Sequence, residues 1–180
     1  MGNYRDLRAK LNELEGNRIL IMDNNNLEFC SQHDDVYSSE EVFKEYDMIL
    51  IPDWVHREIS HSQKRLHYLA SVPIPYFIVS EEEDYPELVG YQELRLLELF
   101  FHASSAISPA RKLYSTLKKF YHEHDDLPES WIEDFYEEGF EVTSGTDLRK
   151  NAGETSILVL TYLLLHHFSL VNRKYHHFLQ

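Results

Sequence analysis

Residues 48–59 read MILIPDWVHREI, an apolar run set directly against a helical pattern with one proline between them. Met48 to Ile51 have no polar alternation, which is the pattern of a strand buried on both faces. Pro52 cannot continue a central ladder and stops it. The pattern from Asp53 to Ser71 then reads as a helix, with Asp53 placed to cap it. A buried strand passing at once into a helix is the unit of a parallel sheet.

The flanks repeat this unit. Upstream, residues 18–22 form a second buried strand in ILIMDNNNLEF, residues 19–29, which ends on Asp23 and three asparagines. Such residues form turns through their own backbone, and they also stand where open α/β sheets bind ligands, beyond the carboxyl ends of the strands. Between the two strands, SSEEVFKEY offers Ser38 and Ser39 as helix caps, with Glu41 placed for a capping box. Downstream, PYFIVS, residues 75–80, is a third strand, followed by the acidic loop EEEDYPE and the periodic helix GYQELRLLELFFHASS.

Further elements complete the expectation. Residues 3–15 read as a helix ended by Gly16, and 108–125 and 128–138 as two more. After the loop TSGTDLRKNAGE, the segment ETSILVLTYLLLHH is apolar nearly all round and so central. FSLVN reads as a last short strand. The expected fold is one α/β domain over residues 1–180. Its mostly parallel central sheet carries helices on both faces, with extra helices around 91–140.

Composition supports a packed domain: 43% of the 180 residues are hydrophobic, and only 6 Gly and 6 Pro argue against disorder. The single cysteine, Cys30, has no partner for an internal disulfide and fits a reducing compartment. The charged, amphipathic start is unlike a signal peptide, and ILVLTYLLL is far shorter than the roughly 20 apolar residues of a membrane span. A soluble cytoplasmic chain without membrane contact is expected. The net charge of −14, from 31 acidic and 17 basic residues, gives no general attraction to phosphate backbones. Nucleic acid would therefore have to meet a local basic patch or a metal ion.

Three carboxylates stand at comparable places: Asp23 at the end of the first strand, Glu58 about two helical turns past the second, and Glu154 after Gly153 at the start of the apolar helix. In a parallel sheet all three lie along the carboxyl edge. Like charges brought together repel and raise one another's pKa, and a divalent cation relieves that. Mg²⁺ and Mn²⁺ prefer carboxylate oxygen, and no His/Cys zinc spacing appears. One or two such ions could activate water against a phosphodiester, with Asn25 and Asn26 positioning a water or a carboxylate. For each acid alone a structural role competes: a turn for Asp23, a surface ion pair for Glu58, a helix-dipole partner for Glu154.

Taken in order, these segments resemble the PIN domain family. Asp23-Asn24-Asn25 after ILIM is similar to that family's opening strand, MILIPDWVHREI to its second strand and acid-bearing helix, and NAGETSILVLTYLL to its Gly-Glu core helix. The resemblance implies a Mg²⁺- or Mn²⁺-dependent ribonuclease acting on single-stranded RNA. Asp23, Glu58 and Glu154 would be metal-binding and catalytic, and the role would be that of a toxin of a toxin–antitoxin pair or an RNA-processing enzyme. The family's fourth acid falls here on Asn172, uncharged but able to ligate through its carbonyl, and Asp147 could supply the missing charge. The chain runs only eight residues beyond Asn172, where the family has another strand. Arg149, Lys150, Arg173 and Lys174, with Lys64 and Arg65, could rim the edge and hold RNA phosphates. Two rivals stay open: a catalytically weakened relative acting as a binding module, and a different metal-dependent phosphohydrolase. An antitoxin, another protein partner or a homodimer is also open.

Overall fold

The computed structural model describes residues 18–107 and 152–171, together with Leu7, Ala9, His122 and residues 131–133. Within them lie three strands, β1 (Ile19–Ile21), β2 (Met48–Pro52) and β3 (Tyr76–Val79), which form one parallel sheet in the order β1-β2-β3. Helices α1 (Asn24–Gln32) and α2 (Ser39–Phe43) connect β1 to β2. Helices α3 (Asp53–Ile59) and α4 (Gln63–Ser71) connect β2 to β3. Beyond the sheet come α5 (Asp84–Leu88), α6 (Glu93–Ala106) and α7 (Ala152–Val171).

β2 is the central strand and is buried along its whole length, as its unbroken apolar run requires. Its residues alternate between two cores, because successive side chains on a strand point to opposite faces. Met48 and Leu50, with Ile19 and Ile21, face a core built from α6 and α7 around Leu96, Phe100, Val159 and Leu163. Ile49 and Ile51, with Leu20, face a second core made by Leu27 of α1, Phe43 of α2, Val55 and Ile59 of α3, and Leu69 of α4. The sheet is thus covered by helices on both faces. Phe100 lies at the centre of the first core, 5.5 Å from the Trp54 ring and 5.8 Å from the edge-on Trp131 ring.

Parallel register aligns the strand ends. Ile21 pairs with Leu50 and Pro52 with Val79, so Asp23, Asp53 and Glu81 leave the sheet on the same edge. Helix caps fix where each connection starts. Asp23 is the N-cap of α1 and accepts a bond from the Asn25 N–H at 3.3 Å. Ser38 caps α2 by accepting from the Glu41 N–H, as its spacing predicts.

Two expectations are corrected. The stretch 53–71 is not one helix capped by Asp53: Pro52 occupies the cap position of α3, and the chain breaks at residues 60–62 before Ser62 caps α4 through the Arg65 N–H. The break turns α4 back across the sheet, and α4 packs on α1. The stretch 168–171 is not a strand but the last turn of α7, because the apolar helical run that begins at Ala152 simply continues. The helices expected at 3–15, 108–125 and 128–138 lie outside the described residues except at Leu7, Ala9, His122 and 131–133, which are helical. No helix among the described residues is long and apolar enough to cross a membrane.

Candidate functional site

Asp23, Glu58 and Glu154 come together on the carboxyl edge of the sheet. Asp23 leaves β1 and opens α1, Glu58 lies on α3, and Glu154 lies in the first turn of α7. At Gly153 α7 lies against α3: a Cβ there would stand 3.1 Å from Val55 Cγ2 and 3.3 Å from Glu58 Oε1. The glycine therefore opens the space that the Glu58 carboxyl fills. All three acids are half-buried.

Electrostatics ties them into one site. The Glu58 carboxyl is pushed above the usual carboxylate range, first by burial and then by the charges of Glu154 and Asp23. Two groups act in the opposite direction: the Arg65 guanidinium and a hydrogen bond from the Asn24 side chain. Asn24 is thus the asparagine whose side chain bears on Glu58, whereas Asn25 and Asn26 are exposed and Asn25 bonds Asp23 through its backbone.

Arg65 is not an open phosphate contact. Its side chain is 15% exposed and lies across α1 and α3. One Nη donates to Asn24 Oδ1 at 2.7 Å and stands 3.6 Å from Glu28 Oε2, while the other donates to the Glu58 carbonyl at 3.3 Å. Lys64 is exposed. Asp147, Arg149, Lys150, Asn172, Arg173 and Lys174 lie outside the described residues.

The donors are carboxylate oxygens, which suits Mg²⁺ or Mn²⁺ in kind. Among the described residues no group of three or more His, Cys, Asp or Glu forms a ready cage for a metal ion. Mg²⁺ does not require one, since it keeps several waters and often takes only one or two protein carboxylates. A cation here would also relieve the repulsion that burial and the neighbouring acids impose on Glu58. In kind, though not as a formed cage, these carboxylate donors suit such an ion.

A fourth acid escaped the sequence reading because it sat in an acidic run that reads as solvated loop. Glu81, just past β3, is 1% exposed. Its carboxyl accepts the Trp54 backbone N–H at 3.2 Å and the Ser156 hydroxyl at 2.6 Å, and Ser156 bonds the buried Tyr85 hydroxyl at 2.7 Å. Burial pushes its pKa up to about 8. Glu81 thereby joins the N-terminal turns of α3 and α7, the helices that carry Glu58 and Glu154. Only the strand-end position could have marked it, since Glu81 follows β3 much as Asp23 follows β1.

Compared with protein-family models, with curated proteins and with solved structures, the chain matches none.

Proposed function

We propose that this protein is a Mg²⁺- or Mn²⁺-dependent endoribonuclease of PIN-like, three-layer architecture, cleaving single-stranded RNA. One observation carries the reading: acids from three separated segments meet on the carboxyl edge, and Glu58 is burdened by the charges of the other two. Such crowding disfavours the charged forms, and a cation among them would relieve it.

Asp23, Glu58 and Glu154 would hold the ion. When bound, it would supply Lewis acidity and a means of activating water at neutral pH. The chain's own residues do the positioning: the α1 cap fixes Asp23, Arg65 holds the Glu58 backbone carbonyl, and the first turn of α7 delivers Glu154 beside Gly153. No protein nucleophile is needed. Toxin and RNA-processing roles both fit this chemistry.

The net charge of −14 favours a second reading, a binding module that has lost catalysis. Incubating mixed single-stranded RNA with Mn²⁺, with EDTA, and with the Asp23→Asn and Glu154→Gln variants separates the two. Metal-dependent cleavage that disappears in both variants establishes the nuclease. An intact, folded wild type that leaves RNA uncut in Mn²⁺ and Mg²⁺ selects the binding module.

A further inference from the structure

Arg65 bridges two of the elements that carry the acids, and its contacts are chemically one-directional. A guanidinium has five N–H donors and no acceptor. Its 2.7 Å bond therefore fixes the Asn24 amide with the oxygen toward Arg65 and the N–H₂ turned away from it. The other Nη holds the Glu58 backbone carbonyl. Arg65 thus ties the Glu58 backbone directly to the Asn24 side chain. The same Asn24 follows Asp23 in the chain, so the grip extends to the second acid.

The guanidinium is not placed there for stability alone. Its Nε–H is buried with no acceptor among the described residues. An orphaned buried donor is destabilising, and an apolar side chain of similar length would avoid that.

We propose that Arg65, acting through Asn24, is the positioning residue of the acid pocket, setting the relation of Glu58 to Asp23 that a divalent cation requires. The inference rests on the metal-binding reading above. It differs from the role first suggested by the sequence, in which Arg65 would touch RNA phosphate.

Two effects of removing Arg65 have opposite signs, which makes the test sharp. As a nearby positive charge it competes with a cation, so its loss alone would tighten metal binding. As a positioning group, its loss weakens binding by about 10- to 100-fold, the usual effect of losing a group that orients a ligand. Mn²⁺ binding to the full chain, followed by the EPR signal of free Mn²⁺, is compared for wild type, Arg65→Met, Arg65→Lys and Asn24→Ala. Hydrogen exchange of residues 23–28 and 58–62 is followed in parallel.

The expected result is weaker Mn²⁺ binding in Arg65→Met and Asn24→Ala, with melting temperatures close to wild type. Lysine should restore only part of the loss, because an ammonium cannot span both acceptors. Unchanged or tighter binding in Arg65→Met overturns the proposal. A wild type that binds no Mn²⁺ overturns the metal reading itself. Exchange then decides the clamp separately: faster exchange in both segments of Arg65→Met retains it, and unchanged exchange removes it.

Discussion

Glu81 shows how one buried side chain sets a pH dependence. Its carboxyl has a folded-state pKa of about 8 against 4.5 for the ordinary group, so the folded protein holds this proton more tightly than the unfolded chain. Stability from this group is fully present below pH 4.5, declines as pH rises, and is lost through pH 8. The slope is about 1.4 kcal/mol per pH unit inside that window. Glu81→Gln keeps an oxygen for the Trp54 N–H and the Ser156 hydroxyl and has no proton to lose. Urea unfolding of both proteins at pH 5 and pH 8 should show the variant gaining on wild type by a few kcal/mol at the higher pH. An equal difference at the two values would mean that Glu81 is ionised in the folded state. The sequence offered no burial cue for it: Glu81, Glu82 and Glu83 are identical as letters, and only the turn after β3 carries the first inward.

At the scale of elements, local patterns were legible wherever short-range chemistry sets the outcome. The unbroken run at 48–51 announced a two-sided strand, and Ser38 with Glu41 announced a cap; both are found. The acids Asp23 and Glu154 were legible as strand-end and helix-start residues, and their places just past β1 and in the first turn of α7 hold. What local pattern could not supply was the path of the chain. Residues 53–71 keep helical composition throughout, and the turn at Ser60–Ser62 is set by packing of α4 on α1. FSLVN has the composition of a strand, yet its residues 168–171 extend α7 because the preceding helix is already committed. The contact between α3 and α7 yields its own prediction at Gly153. Alanine there gains at most about 1 kcal/mol of helix propensity, but its methyl meets Val55 and the Glu58 carboxyl. Gly153→Ala should leave thermal stability within about 1 kcal/mol, because the propensity gain offsets the tight contact. It should weaken Mn²⁺ binding severalfold, because the freer neighbour to move is the Glu58 side chain. Calorimetric melting beside a Mn²⁺ titration checks both; a large loss of stability with unaltered binding would show that Val55, not Glu58, takes up the strain.

For the molecule as a whole, charge and site make separable demands. A net charge of −14 on 180 residues opposes the compact state through self-repulsion, so screening by any salt should raise the melting temperature. A cation held by Asp23, Glu58 and Glu154 adds a different stabilisation, because a ligand that binds only the folded state contributes RT ln(1 + [L]/Kd), about 2.7 kcal/mol at 100 times Kd. The two contributions part company at matched ionic strength. Melting in NaCl and in MnCl₂ of equal ionic strength should give a higher midpoint in Mn²⁺, and the excess should saturate with concentration as binding does. In Asp23→Asn and Glu154→Gln the excess should vanish while the response to NaCl remains, since each variant removes one charge of the many that repel. Identical midpoints in the two salts would leave the acids without a cation and move the chain toward the binding-module reading. A Mn²⁺ excess that survives in both variants would instead place the ion among other carboxylates of this acidic surface, away from the carboxyl edge of the sheet.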